Sequence, residues 1–170
     1  MFEYKYTPEH KNKTAKSISS ILFFTALILL ALVACFDLAY EGIMQSVAVL
    51  CAVMLILILT RYQFKKFTYK VFQTEKGDYD LTVDEIMGRS CVTVCRVSLS
   101  NVEKIMIVKK NNEDRERLRC EARGRKTFSY CPDMLPSSEC CVFVTECGEK
   151  LVIKLSPDET LLSILNNFAE

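Results

Sequence analysis

The sequence predicts a membrane protein of mixed α and β structure. An N-terminal two-helix transmembrane hairpin precedes an antiparallel seven-stranded barrel or roll, which a C-terminal helix caps. Three observations predict this plan. Two long apolar stretches lie near the N-terminus, the residues after Thr60 switch to a two-residue alternation, and the segment from Ser156 onward carries a capped amphipathic helix pattern.

The first apolar stretch, 18–36, reads ISSILFFTALILLALVACF, and the second, 43–60, reads IMQSVAVLCAVMLILILT. Neither contains a charge, a Pro or a Gly. A hydrocarbon core about 30 Å thick needs about 20 helical residues at 1.5 Å each, so each stretch spans it. Burying both inside a soluble protein requires a covering layer, which a remainder of about 110 polar-patterned residues does not supply. The connection 37–42 is short enough only for a tight turn, so the helices form an antiparallel hairpin. Lys5, Lys11, Lys13 and Lys16 precede the first stretch, and Arg61, Lys65, Lys66 and Lys70 follow the second, whereas the turn carries only Asp37 and Glu41. The positive-inside rule then makes 1–17 a cytoplasmic tail, 37–42 an outside turn and 61–170 a cytoplasmic domain of a multi-pass plasma (inner) membrane protein. Tyr40 and Tyr62 fall at the expected interfaces, and Arg61 reaches back to the inner surface. The small-residue pairs Ala31/Cys35 and Ala48/Ala52 suit close helix approach. A rival reading takes Leu32-Val33-Ala34-Cys35 as a lipoprotein processing box with a lipidated Cys35. Two acids in the preceding segment and a second span after only six residues argue against it.

After Thr60, Phe67, Tyr69 and Val71 alternate with Thr68, Lys70 and Phe72, and residues 74–78 read as a turn. Tyr79, Leu81 and Val83 begin the next strand, Met87 to Ser90 turns the chain, and 91–99 is the third. Ser100-Asn101 breaks it before 103–109. Asn111 to Glu116 reads as a polar hairpin tip; Leu118–Ala122 and Thr127–Tyr130 continue the strand pattern on either side of Arg123-Gly124-Arg125. A Pro-containing loop, 131–139, leads to 140–145, and Cys147-Gly148 turns tightly into 151–155. Short strands with mainly local turns argue an antiparallel barrel or roll. Residues 63–170 are expected to fold alone, without zinc or disulfides.

Ser156-Pro157-Asp158-Glu159 reads as a helix start, with Ser156 as the cap and Pro157 at the first helical position. Leu161, Ile164, Leu165 and Phe168 then form one apolar stripe, expected against Leu81, Val83, Ile153 and Leu155. Seven strands and one such helix make the pleckstrin-homology (PH) plan. The order resembles the bacterial PH-like membrane proteins, in which a two-helix hairpin precedes a PH-like domain. The resemblance rests on the membrane exit from Arg61 to Lys66, YDLTVDEIMGR (79–89), CRVSLSNVEKI (95–105) and LVIKLSPDETLLSIL (151–165). Val97, Val102 and Ile105 hold the apolar places of the second motif, although Ser98 stands where those proteins have Pro. The start, FEYKYTPEH (2–10), is similar to that of the related YcxB-like proteins, whose Ile-Pro-Lys near the end is missing here.

Chemistry is sparse. With 22 Lys and Arg against 21 Asp and Glu, the net charge of +1 argues against a dedicated nucleic-acid binder. His10 is the only histidine, without a partner spaced to orient it, and the five glycines form no phosphate loop. The nine cysteines are odd in number; Cys35 and Cys51 lie in apolar helices, and Cys140 and Cys141 are adjacent. We read them as reduced thiols packed as small hydrophobes. Cys91 and Cys95 are expected on one strand face with Thr93 and Val97. Cys131, Cys140, Cys141 and Cys147 cluster in sequence without a zinc-knuckle spacing, leaving a thiol-based redox or metal sensor as an alternative. No catalytic residue, metal or cofactor is expected. Lys110, Arg117 and Arg119 resemble the basic pattern with which eukaryotic PH domains hold inositol phosphates. In those domains it sits on the first hairpin, which is acidic here (Glu75, Asp78, Asp80). Because Glu113, Asp114, Glu116 and Glu121 interleave with the bases, the first expectation is a solvated hairpin. The alternative is an anionic-partner patch of Lys109, Lys110, Arg117, Arg119, Arg123, Arg125 and Lys126, with Arg115 nearby. The functional expectation is a non-enzymatic interaction or scaffold module tethered to the bilayer, bound to another protein or to a second copy. A small transporter or channel subunit is the other class; the spans offer it only Ser19, Ser20, Thr25, Gln45 and Ser46 as polar groups.

Overall fold

The structure, a computed structural model, describes residues 3–9, 12–35, 41–75 and 77–168. Two units divide the chain: 11–65, and residues up to 10 together with those from 66 onward. The first unit is a helical hairpin of α1 (Lys13–Cys35) and α2 (Glu41–Leu59), extended by a π-helical turn (Thr60–Phe64). Both helices are longer than the apolar stretches alone, since α1 begins five residues before Ile18. The two spans of 23 residues, Lys13–Cys35 and Gly42–Phe64, are each about 35 Å long, enough to cross a hydrocarbon core of about 30 Å. The predicted turn residues up to Tyr40 lie outside the described residues.

The hairpin is held by a narrow seam. Along α1, Ala15, Ser19, Leu22, Ala26, Leu29 and Val33 are covered; along α2, Met44, Ala48, Cys51, Leu55 and Ile58 are, and Tyr62 in the π-helical turn continues the series. Both series step by alternate fours and threes, the spacing that keeps one stripe of a helix against its partner. Ala48 is buried here as expected, whereas Ala31 and Cys35 are exposed and take no part. At one end Asn12 donates to the Tyr62 carbonyl at 2.8 Å, and Gln63 approaches the Ser19 hydroxyl at 3.4 Å. The opposite faces are bare hydrocarbon: Ile21, Phe24, Leu50 and Leu57 are each more than half exposed. Such a continuous apolar surface calls for an apolar solvent.

Among the described residues, the second unit contains eight strands rather than seven, in two four-stranded sheets. The first sheet runs β1 (Glu3–Tyr6), β2 (Lys65–Gln73), β3 (Tyr79–Met87), β4 (Ser90–Ser98), in that spatial order. The expected N-terminal tail is therefore partly a strand: Glu3–Tyr6 pairs antiparallel with Tyr69–Phe72, and the Thr7 and Thr68 hydroxyls meet at 2.9 Å. A short 3-10 turn (Leu99–Asn101) leads to the second sheet, formed by β5 (Val102–Lys109), β6 (Lys126–Ser129), β7 (Ser138–Glu146) and β8 (Glu149–Leu155) in the order β5-β7-β8-β6. The sheet is not wholly antiparallel, because β6 runs parallel to β8. Between β7 and β8, Cys147 and Gly148 both take positive φ, as a two-residue hairpin turn of the primed type demands.

Strand alternation places Phe67, Tyr69, Val71, Leu81, Val83, Val142, Val144, Ile153 and Leu155 in one buried cluster between the sheets. The last helix, α4 (Glu159–Asn166), closes it with Leu161 and Leu165, both fully buried. Its cap is not Ser156 but Asp158, whose carboxylate accepts from the Leu161 N–H at 2.9 Å. Ser156 instead donates its backbone N–H to the Tyr69 phenol, which in turn donates to the Tyr130 carbonyl. That buried phenol joins the first sheet to the approach of α4, and burial raises its pKa.

The segment read as a hairpin tip and strand is a helix, α3 (Asn112–Glu121). Glu113 and Asp114 lie in its first turn and Arg119 in its last, matching the helix dipole. Leu118 is its only buried residue, so apolar periodicity gave no helical signal there. Leu118 joins Val108, Cys141, Phe143 and Val152 in a second, smaller cluster on the outer face of the second sheet. With both faces covered, β7 reads as the unbroken apolar run Cys140 to Val144.

Candidate functional site

The end of β5 and the side of α3 enclose a cleft of about 300 Å³, lined by Val108, Lys109, Lys110, Arg115, Leu118, Arg119, Pro136, Glu139 and Lys154. Helical geometry makes it basic. On a helix, residues four apart stand one above the other, so Arg115 and Arg119 share the side that carries Leu118, and both line the cleft. Lys109 ends β5 and Lys110 follows it, and the Lys109 N–H donates to the Asp114 carboxylate at 3.3 Å. Val108 and Leu118, both nearly buried, form an apolar floor. Lys154, on β8, is paired with Glu139 at 2.9 Å. Among the described residues, no acid forms an ion pair with Lys109, Lys110, Arg115 or Arg119.

The structure thus divides the expected patch. Lys109, Lys110 and Arg119 come together in the cleft. Arg117 and Arg123 are exposed and do not line it. Arg125 pairs with Glu103 at 2.8 Å beneath a contact with the Phe143 ring, and Lys126 pairs with Glu149 at 2.7 Å. Around Arg125 the charges cancel, for Lys104 also pairs with Glu121 at 2.8 Å. There Thr145 and Arg125 hold the Glu103 carboxyl below its ordinary range by hydrogen bonding. Arg115, expected only as a neighbour of the patch, and Lys154, outside it, complete the cleft. A helical reading of 112–121 would have selected Arg115 from the sequence, whereas nothing local marks Lys154.

Three of the nine thiols, the buried Cys131, Cys140 and Cys141, are packed as small hydrophobes, whereas Cys35, Cys91, Cys120 and Cys147 are exposed. All nine are free. Burial pushes the Cys140 and Cys141 thiols up to about 12, far from thiolate formation at neutral pH. Cys91 and Cys95 do not share a face. A bulge in β4 shifts the register so that Val83 faces Cys95 while the next residue, Asp84, faces Thr93. Cys95 then points with Val97 toward the core, and Thr93, on the other face, bonds Asp84 at 2.7 Å. Among the described residues, no three His, Cys, Asp or Glu side chains gather as a metal-binding group. His10 lies outside the described residues.

No protein-family model matches the chain, and no curated protein matches it either.

Proposed function

We propose that this chain is a non-enzymatic, membrane-anchored interaction module whose β unit recruits an anionic partner at the cytoplasmic face. The hairpin inserts in the plasma (inner) membrane, with both termini inside. One observation carries the reading: a single chain combines two apolar helices with bare outer faces and a folded unit whose cleft gathers four cations without acid partners. Water solvates the first poorly and leaves like charges crowded in the second, so each surface favours a partner. Anchoring confines the cleft to the membrane surface and raises its effective concentration there. The β unit is a PH-like roll in this reading. Its support is the pair of four-stranded sheets that share one core with α4; β1 and the parallel β6 are departures from the seven-stranded plan.

Two measurements test the proposal. Reporter fusions at both ends should be active only as cytoplasmic reporters, and an external signal from either end overturns the orientation. A photo-cross-linking residue at Lys110 should capture a partner in native membranes, and the adduct should vanish when Arg115 and Arg119 are both replaced by Ala. An adduct indifferent to those replacements, or none at all, sinks the recruitment role.

A further inference from the structure

We infer that the cleft binds a phosphomonoester group, carried by either a lipid headgroup or a small soluble molecule. The inference rests on the interaction-module reading and names the chemistry of its partner. Lys109, Lys110, Arg115 and Arg119 together present four positive charges to one cleft, while Lys154 is already balanced by Glu139. A single carboxylate would leave most of that charge uncompensated; a dianionic terminal phosphate concentrates two charges and three acceptor oxygens at one point. The donors suit it. Arg115 and Arg119, one turn apart on α3, offer planar forks that bind tetrahedral oxyanions in bidentate fashion, and the two lysines add mobile point charges. Size points the same way. A volume of about 300 Å³ suits a phosphate with a small organic remainder. The apolar floor of Val108 and Leu118 gives that remainder a dry contact. The neighbouring depression around Glu103, Lys104, Glu121 and Arg125 is an internal control, because its two ion pairs leave no net charge for a ligand.

The test uses the full chain in phosphatidylcholine nanodiscs. Binding of inorganic phosphate is followed by 31P line broadening, and binding to phosphatidic acid by its 31P signal in doped discs. Saturable binding in either arm is expected, and the arm identifies the source. The Arg115→Ala/Arg119→Ala variant should weaken it at least tenfold, whereas Arg117→Ala, outside the cleft, should leave it within twofold. Because both arginines are exposed, the fold should survive, and Lys110→Ala supplies a second variant with a smaller loss in the same direction. Absence of saturation in both arms, an equal loss in Arg117→Ala, or preferential binding of a poly-glutamate peptide overturns the inference. If phosphate fails while the Lys110 cross-link still depends on the two arginines, only the ligand class is wrong. If that cross-link is also lost, the module reading falls with it.

Discussion

Asp158 performs two tasks that the sequence pattern assigned elsewhere or not at all. It caps α4 through the Leu161 N–H, and it accepts the Tyr4 hydroxyl, which ties β1 to the far end of the same unit. Asp158→Ala should therefore destabilise the protein by at least the roughly 1 kcal/mol typical of a lost cap. Ser156→Ala keeps the backbone N–H on Tyr69 and should cost less; chemical denaturation ranks the two, and the reverse order would restore Ser156 as the cap. A second residue-scale prediction concerns Asp84, which bonds Lys70 at 2.7 Å on the outer face of the first sheet. Burial alone would raise its carboxyl, but hydrogen bonds from Lys70 and Thr93 outweigh burial and lower it. Lys70 is raised by the same hydrogen bond. Asp84 thus contributes stability that is complete above its unfolded pKa of about 3.9 and is lost as pH falls through the lower folded value. Lys70 contributes below its unfolded value of about 10.4, and that contribution is lost as pH rises through the higher folded one. Asp84→Asn should flatten the dependence of denaturation midpoint on pH below about 4; an acid limb as steep as before would show that the pair does not set it.

At the scale of elements, α4 follows its sequence stripe and α3 does not, and the difference lies in what each buries. Leu161, Ile164, Leu165 and Phe168 all pack on the main cluster, so the i, i+3, i+4, i+7 spacing of a helix face is written in apolar residues. The polar α3 buries only Leu118, and its helical order shows in charge placement instead. Leu165→Ala removes a fully buried side chain from the closed end of the roll and should cost about 2–5 kcal/mol. Asn167, exposed just beyond α4, should tolerate Ala within about 0.5 kcal/mol. An unchanged melting transition in Leu165→Ala would mean that α4 does not close the core. In β4 the missed feature was a bulge. Strict alternation puts Cys91 with Cys95, and one extra residue sends them to opposite faces.

For the whole molecule, the important connection is that the hairpin is inserted between two neighbouring strands of one sheet. β1 precedes it, β2 follows it, and they pair over four residues. Tyr4 and Tyr6 pack against the main cluster, so the β unit needs residues on both sides of the hairpin. Residues 63–170 alone would lack that strand. Replacing 11–65 with a short Gly-Ser linker should give a β unit more stable toward denaturant than 66–170 by itself. The close approach of Thr7 and Thr68 makes a short linker sufficient. Equal denaturation midpoints for the two would remove β1 from the account.

The sequence by itself determined the two apolar helices, the inward residues of β2, β3 and β8, the Cys147-Gly148 turn and the apolar stripe of α4. Each of these is local: hydropathy and period report which side of an element shuns water, whatever lies beyond it. Only the tertiary structure decided that Glu3–Tyr6 is a strand, that β6 runs parallel to β8, and which basic side chains stand together. Period records a face but not a neighbour, and four residues such as Glu3–Tyr6 carry too little pattern to name a partner on the far side of a hairpin. The cleft is the clearest case. Lys109 and Lys110, Arg115 and Arg119, and Lys154 come from a strand end, a helix side and a distant strand, and acids interleave with the first four in sequence. Folding separates what the sequence mixes, because the helical turn and the sheet register set which charges meet in space.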